Sequence, residues 1–343
     1  MSASRTSEGR PAGVIVRAPN HLGDLVMALP ALHAAGEADV MLVRGLLPVA
    51  QMAGLTGAVL PLDRGKGGFW RAARTLRANR YARGVLLPPS LSSALLFVAG
   101  GVRHRRGAAS NHRGPLLHDR VAPDALGRLH RSAAFYLLVA GHVPAARQAP
   151  ALTVPDEARD RFRAAVGPGD GTTIGLFPGS NASSRRWDAD RYASLARRLA
   201  RGGVRVLVFG GPAEQRLTAQ VAGEAGVDLG GRTDLPLLAA GLASCAVLVT
   251  NDSGPMHLAA AVGTPTLSLQ GPADPVVTRP LGEDHIMLRH PELPCVPCVK
   301  NVCPRSGQKG YVLPDGTREC LRLISVDDAL EALRAHPATA LTS

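Results

Sequence analysis

Residues 248–262 read LVTNDSGPMHLAAAV, and this pattern is the clearest indication of how the chain folds. A short apolar run leads into a polar turn, Asp252-Ser253-Gly254, and then into small and apolar residues typical of a helix. A buried strand followed by a turn and a helix is the repeating unit of a parallel α/β sheet. The unpaired amides and the positive dipole end of such a helix converge at the turn. The pattern therefore predicts a binding site for a phosphate-bearing group.

The same alternation of strands and helices extends over most of the chain. Strands are predicted near residues 13–18, 40–44, 59–63 and 85–88, with helices at 25–35 and 69–80, and a second series begins at the strand 173–177. Two such series predict an α/β protein with two Rossmann-like domains whose parallel sheets face a central cleft, an arrangement known as the GT-B fold.

Domain boundaries follow from changes in composition. Pro and Ala accumulate without periodicity at 144–155, and a charged helix at 156–166 precedes the Gly-rich residues 167–171. We expect a disordered N-terminal extension (1–12), an N-terminal domain (13–155), a linker region (156–172) and a C-terminal domain (173–343). The last predicted helix, 326–335, closes the second domain and has room to fold back across the linker.

Composition narrows the class of protein. The chain has 343 residues, 45% of them hydrophobic and 19% charged, which is typical of globular proteins. The longest apolar stretches, 94–102 and 235–250, are too short or too interrupted to span a bilayer, and residues 1–12 lack the apolar core of a signal peptide, so we expect a cytoplasmic protein. The net charge is +12, but only 3% of residues are aromatic, which disfavours nucleic-acid binding and favours an anionic substrate or a membrane surface.

Asp24 is the candidate catalytic residue. It ends the first predicted strand-to-helix turn, which lacks the glycine patterns of dinucleotide-binding and P-loop proteins. Because ligands bind at the carboxyl ends of parallel strands, this carboxylate is placed to accept a proton from a hydroxyl group. The alternative is that Asp24 merely caps the following helix, since Asp is a preferred N-cap.

Five residues in the second half are candidates for binding a diphosphate and its sugar. Ser180 and Asn181 follow the strand 173–177, and Arg185 and Arg186 follow shortly after them. Arginine presents planar, permanently charged donors that suit phosphates, although solvated arginines in an ordinary turn are equally consistent. Glu214 is placed to accept from a sugar hydroxyl, or lies in the favourable first turn of a helix.

The turn quoted first supplies four further candidates: Asp252, Ser253, Gly254 and His257. His257 lies in the first helical turn, where it can donate to a phosphate oxygen or be an ordinary helix histidine. No D-x-D motif follows a predicted strand, so we expect neither a metal ion nor another cofactor.

The cysteines and a basic stretch leave alternatives open. Cys295, Cys298, Cys303 and Cys320 form a C-x2-C-x4-C pattern with a distant fourth cysteine, consistent with structural zinc, with reduced thiols that pack a loop, or with thiols that line an acceptor site. The basic residues within 102–119 suit an anionic acceptor or a solvated surface.

Together these motifs resemble the ADP-heptose:lipopolysaccharide heptosyltransferases of glycosyltransferase family 9, and more closely the heptosyltransferase II branch. The motifs that carry the resemblance span residues 14 to about 333: Gly23-Asp24, Leu87-Pro-Pro-Ser90 with Ser93-Ala-Leu95, Val102-Arg-His-Arg-Arg-Gly107, Pro178-Gly179, Arg185-Arg-Trp187, and Val249-Thr-Asn-Asp-Ser-Gly254 with Met256-His257. The chain departs from the family in its Cys-rich segment after Pro294 and in Arg185, where the family usually has Lys.

The resemblance implies an inverting transferase with Asp24 as general base, an acceptor-binding N-terminal domain, and a C-terminal domain that binds ADP-heptose through the candidates named above. The implied partners are the donor ADP-heptose, an anionic lipid-linked oligosaccharide acceptor and the inner face of the cytoplasmic membrane, to which the protein would be peripheral. Three alternatives remain: a GT-B transferase with another donor or acceptor, an isomerase like the nucleotide-sugar 2-epimerases, and a non-catalytic binding protein.

Overall fold

The computed structural model describes residues 13–146, 148–169, 171–304 and 319–339. Internal contacts divide the chain into unit 1, Met1–Gln148, and unit 2, Ala149–Ser343. The predicted disordered extension, residues 1–12, lies outside the described residues.

Unit 1 is built on one six-stranded sheet in the order β3-β2-β1-β4-β5-β6, and every pair of neighbouring strands is parallel. Its elements are β1 (Val14–Arg17), α1 (Leu22–Ala34), β2 (Asp39–Val43), α2 (Leu47–Met52), β3 (Val59–Leu62), α3 (Gly65–Asn79), β4 (Arg83–Leu86), α4 (Leu91–Ala99), β5 (His104–Ala108), β6 (Asp119–Val121), α5 (Pro123–Gly127) and α6 (Arg131–Ala140). Helices α1 and α6 pack on each other, and α3 packs on α4. Leu76, Phe97 and Leu86 are fully buried in the core between the sheet and the α3–α4 pair.

Unit 2 repeats the plan with a sheet in the order β12-β11-β10-β7-β8-β9, again parallel throughout. Its elements are α7 (Asp156–Val166), β7 (Thr173–Phe177), α8 (Ala189–Arg201), β8 (Arg205–Val208), α9 (Gln215–Ala222), β9 (Val227–Asp228), α10 (Leu235–Ala243), β10 (Val247–Asn251), α11 (Gly254–Ala261), β11 (Thr266–Leu269), α12 (Pro275–Thr278), β12 (His285–Leu288), α13 (Glu319–Arg322) and α14 (Val326–Ala335). The central strand β10 is buried along its whole length, as expected for a parallel sheet that is covered by helices on both faces.

The prediction of an α/β protein with two parallel sheets is confirmed. Two details of the organisation differ from the sequence-based expectation. Helix α7, placed in the predicted linker, packs against α10 within unit 2. Helix α14, expected to have room to fold back across the linker, packs on α8, β11 and β12 of the same unit.

Strand order reverses beside the first strand of each sheet. In unit 1 the chain leads from β1 outward to β2 and β3, and then returns to β4 on the other side of β1. In unit 2 the chain leads from β7 to β8 and β9, and then returns to β10 on the other side of β7. Open parallel sheets bind their ligands at the carboxyl ends of the strands that flank such a reversal. The loops after β1 and β4, and those after β7 and β10, are therefore where binding residues are expected.

Candidate functional site

Asp24 lies in the loop-to-helix transition after β1, beside the strand reversal of unit 1. Helix α1 begins at Leu22, three residues earlier than predicted, and its N-cap is His21. Asp24 is thus inside the first turn, and the alternative that it caps the helix is wrong. Its side chain keeps 36% exposure, and its Oδ1 atom lies 3.8 Å from Nε of Arg131 at the start of α6. The carboxylate is accessible to a substrate and has a cation beside it.

Two buried arginines, Arg17 and Arg113, stabilise the loops around this position. Arg17 was not singled out from the sequence, and Arg113 was predicted only as one of the basic residues within 102–119. Arg17 ends β1 and is 3% exposed; its guanidinium donates to the carbonyls of Ala18 and Met41 and to the side chain of Asn20. Because burial disfavours the charged form, it lowers the pKa of Arg17 to about 10. A charged residue at the end of an otherwise apolar strand was the sequence signal that could have identified Arg17.

Arg113 serves the loop after β4 in the same way. It is fully buried and donates through Nε to the Ala108 carbonyl at 2.8 Å and through Nη1 to the carbonyl of Pro88. Burial lowers the pKa of Arg113 to about 10. The loop that follows β4 is therefore fixed by a cation that donates to neutral carbonyl oxygens.

The basic stretch expected to face an anionic acceptor is largely structural. Residues 104–108 form β5, and Arg106 pairs with Asp119 and donates to the Leu138 carbonyl at 2.8 Å. Arg105 donates to the Leu116 carbonyl at 2.7 Å. These guanidinium groups already bond to carbonyl groups and to a carboxylate within the protein, which weakens their assignment to acceptor binding.

In unit 2, the turn between β10 and α11 leads into the start of a helix. Ser253 is the N-cap, but its side chain makes no capping bond, and Pro255 occupies the first turn, where its missing amide hydrogen is not needed. The Ser253 hydroxyl is buried and has no hydrogen-bond partner among the described residues. Because native structures rarely leave a buried hydroxyl unpaired, this atom is consistent with a ligand at the helix start.

A partly buried ion pair joins this turn to the loop after β7. Nη1 of Arg185 lies 2.7 Å from Oδ2 of Asp252, whose side chain is only 4% exposed, whereas that of Arg185 is 23% exposed. Nε of Arg185 has no partner within the described part of the chain. The Nε donor of Arg185 is therefore left for another group.

Asn251 at the end of β10 reinforces the same connection. Its side-chain amide donates to the Pro178 carbonyl at 2.7 Å, and its oxygen accepts from the Trp187 amide at 3.0 Å. Asn251 is fully buried, so both bonds are sheltered from water. The Asn251 side chain thus connects the end of β10 to the loop between β7 and α8 at two points.

Glu214 lies in the segment that follows β8. Its carboxylate accepts from the Gly211 amide at 2.8 Å. It also lies against Gly179, where an added Cβ would come within 1.8 Å of Oε1. Only glycine at position 179 lets the carboxylate approach this closely.

The remaining predicted residues occupy the same edge of the unit 2 sheet. Ser180 is buried, and its carbonyl accepts from Nε of Arg186 at 2.7 Å, whereas Asn181 is exposed. His257 is buried in the first turn of α11, which begins at Gly254. The structure thus gathers all nine predicted donor residues at the β7, β8 and β10 ends, and Asp24 lies in unit 1. Their roles in binding and catalysis stay predictions.

The Cys-rich segment contacts the loop that follows β7. The Ser184 hydroxyl donates to the Lys300 carbonyl at 2.5 Å, and the Ser184 amide donates to the Asn301 carbonyl at 3.2 Å. Burial, and then the nearby thiols of Cys295, Cys298 and Cys303, raise the pKa of Cys320 to about 11. Within residues 13–304 and 319–339, apart from the two undescribed positions 147 and 170, no group of three or more His, Cys, Asp or Glu side chains is arranged to hold a metal ion.

Comparison with known proteins identifies the family. The profile described as Glycosyltransferase family 9 (heptosyltransferase) matches residues 69–308. The chain belongs to glycosyltransferase family 9. The resemblance noted from the sequence is confirmed, and the protein is a glycosyltransferase.

Relatives of the transferase share most of its length. Lipooligosaccharide heptosyltransferase 2 of Haemophilus influenzae is 30% identical over 307 residues, which are 80% of this chain and 88% of that protein. Lipopolysaccharide heptosyltransferase 2 of Escherichia coli K12 is 27% identical, over 80% of this chain and 87% of its own. The structure of E. coli ADP-heptose LPS heptosyltransferase II matches with a TM-score of 0.79 and 25% identity, covering 94% of this chain and 98% of that one.

In the described part of the transferase, no helix is both long and apolar enough to cross a membrane.

Proposed function

We propose that this transferase moves a heptose from ADP-heptose to the inner core of lipopolysaccharide at the cytoplasmic face of the inner membrane, with inversion at the anomeric carbon. The names of its relatives support the donor and the acceptor. The observation that carries the catalytic part is the half-exposed Asp24 carboxylate, which caps no helix and lies at the strand reversal of its sheet.

In the proposed reaction, an acceptor hydroxyl attacks the anomeric carbon while Asp24 takes the hydroxyl proton. A carbon–oxygen bond forms to the acceptor, the bond between the anomeric carbon and the phosphate oxygen breaks, and ADP departs with the electron pair. The guanidinium of the neighbouring Arg131 lies 3.8 Å from the Asp24 carboxylate and is placed to orient it.

The donor half of the proposal depends on the α11 turn. A departing diphosphate gains negative charge, which the first-turn amides of α11 and the remaining Nε donor of Arg185 are suited to stabilise. Glu214 is proposed to accept from a hydroxyl of the nucleotide or of the sugar. Arginine and amide donors suffice for the charge, so the proposal includes no metal ion.

The test is Asp24→Asn, which keeps the shape of the side chain and removes its basicity. We expect turnover of ADP-heptose with a core oligosaccharide acceptor to fall by about 10²–10⁴-fold, while ADP affinity and thermal stability remain those of the wild type. Asp63→Asn is the matched control because Asp63 is also a part-exposed, ion-paired acid of unit 1. Wild-type turnover by Asp24→Asn would contradict the role as base.

Donor identity is tested by thermal shift with ADP-, UDP- and GDP-sugars, in which only the ADP-sugar should stabilise the protein strongly. Incubation of ADP-heptose without acceptor separates transferase from isomerase. We expect the sugar to be recovered unchanged, whereas an epimerase would convert it.

A further inference from the structure

Helix α4 carries an exposed apolar stripe. Leu91, Leu95 and Val98 are 41%, 43% and 40% exposed, although each is a large aliphatic side chain. Their spacing of four and three residues places them on one side of the helix. The opposite side of α4 is buried in the core through Leu96 and Phe97. The stripe is therefore additional to the surface that α4 needs for folding.

A basic and aromatic stripe on α3 runs beside it. Trp70 is 58% exposed, and Arg74 and Arg77 follow at the same helical spacing and are exposed as well. Nη2 of Arg77 donates to the Ala99 carbonyl at 2.7 Å, next to Val98. The two stripes are thus in contact at their ends. We call the six side chains together the α3–α4 face: Trp70, Arg74, Arg77, Leu91, Leu95 and Val98.

Topology places both helices on the same side of the unit 1 sheet. The crossovers from β3 to β4 and from β4 to β5 move in the same direction along the sheet. Since such crossovers are right-handed, α3 and α4 cover one surface, in agreement with their direct packing. The α3–α4 face is consequently one continuous outer surface.

The charge of this face indicates which kind of partner it would bind. Arg74 and Arg77 form no ion pair with a carboxylate among the residues that the structure describes, whereas Arg71 and Arg44 are both paired with Asp63. A second copy of the same face would bring like charges together. An anionic partner with an apolar layer beneath its charges matches both stripes.

We propose that the α3–α4 face docks on the surface of an anionic lipid bilayer. This inference rests on the proposed function, in which the acceptor is lipid-linked. Trp70 would lie at the headgroup level, the three aliphatic side chains of α4 would enter the boundary of the acyl chains, and the two arginines would pair with lipid phosphates. The face thereby supplies the membrane attachment of the transferase.

The experiment is flotation of the full-length protein with vesicles of phosphatidylethanolamine and phosphatidylglycerol, compared with vesicles of phosphatidylcholine alone. The wild type should bind the anionic vesicles, and less tightly as salt is added. The triple variant L91Q/L95Q/V98Q should bind about 100-fold more weakly, at roughly fivefold per partly exposed aliphatic side chain. Arg74→Ala should lose about fivefold.

Matched controls lie in unit 2. Val276→Gln changes an aliphatic residue that is 56% exposed, and Arg159→Ala removes an exposed helix arginine. Both should bind vesicles as the wild type does. Circular dichroism and thermal melting verify folding, and the single variant Leu95→Gln replaces the triple variant if the latter is unfolded.

Transfer assays separate this inference from the proposed function. The triple variant should use a soluble, deacylated acceptor at the wild-type rate and lose activity only on acceptor embedded in vesicles. If the wild type transfers to neither acceptor, yet binds vesicles through the α3–α4 face, then the docking inference stands and the proposed function fails.

Three results would overturn the docking inference: no binding of the wild type to anionic vesicles, equal binding by the triple variant, or dependence on the control residues. Sedimentation velocity adds a fourth. If the triple substitution converts a dimer to a monomer without affecting vesicle binding, the face is an interface between copies.

Discussion

Arg185→Met should destabilise unit 2, because it removes a cation that lies 2.7 Å from a nearly buried carboxylate. Breaking a fully buried ion pair from one side costs about 3–5 kcal/mol. Asp252 is 4% exposed, but Arg185 keeps 23% exposure, so water already screens part of the interaction. We therefore expect the free energy of unfolding to fall by about 2–3 kcal/mol, equivalent to a Tm decrease of about 4–12 °C for a unit of this size.

A double-mutant cycle measures the pair directly. Arg185→Met, Asp252→Asn and the double variant are unfolded in guanidinium chloride, and the coupling energy is taken from the four free energies. We expect a coupling of at least about 1 kcal/mol. Arg198→Met is the matched control, since its ion pair with Asp327 is as short, at 2.6 Å, but exposed on both sides, and should contribute below about 1 kcal/mol.

The reasoning fails if Arg185→Met unfolds at the wild-type denaturant concentration, or if it resembles Arg198→Met. Such a result would mean that Arg185 does not hold the Asp252 turn. A loss of ADP affinity alone would then be assigned to a direct contact with the ligand.

Three further substitutions test other features of unit 2. Asn251→Ala should lower the free energy of unfolding by about 2–4 kcal/mol because it leaves buried backbone groups unpaired, and hydrogen exchange should show faster loss of protection at the Trp187 amide. Gly179→Ala should displace the movable Glu214 carboxylate and weaken ADP-sugar binding, measured by calorimetry. The free energy of unfolding should change by less than about 1 kcal/mol because a flexible side chain can move aside. Unchanged affinity would argue against a role for that carboxylate in binding the ADP-sugar. Burial raises the pKa of Cys245 to about 12 from 9.0. Its protonated thiol therefore stabilises the folded state fully below pH 9, and that stability is lost as the pH rises from 9 to 12. Relative to Cys245→Ala, the wild type should lose about 1 kcal/mol of unfolding free energy between pH 7.5 and pH 10 in urea unfolding, and parallel pH profiles of the two proteins would contradict this.

Much of unit 2 could be predicted because its sequence encodes its elements locally. The strand at 173–177 and the helix at 326–335 were predicted with the bounds that the structure shows, since apolar periodicity and flanking Gly, Pro or Ser residues mark them. The candidate residues around the α11 turn gather at one sheet edge for a related reason. Parallel strands end at the same edge, so strand-end residues converge without further information.

What could not be predicted depends on tertiary contacts. Asp24 was a candidate for an N-cap because Asp often caps helices, but α1 extends back to Leu22 and is capped at His21, where no side-chain preference marks the start. The proximity of Arg131 to Asp24 requires α6 to pack on α1, which local patterns do not encode.

The basic stretch at 102–107 illustrates the same limit. Its charges suggested an anionic acceptor site or a solvated surface, whereas His104–Ala108 is a strand whose arginines extend to carbonyl groups and to Asp119. A charge run in sequence does not reveal whether its cations meet solvent or backbone oxygens.

The chain contains two tryptophans, and they differ in environment. Trp187, in the loop between β7 and α8, is 2% exposed and donates its indole N–H to the Ile324 carbonyl at 2.9 Å, whereas Trp70 is 58% exposed in unit 1. Their fluorescence therefore divides between the units: blue-shifted, quencher-resistant emission from one, and red-shifted, iodide-sensitive emission from the other. A Trp70→Phe protein would leave a single tryptophan reporter, which lies in unit 2.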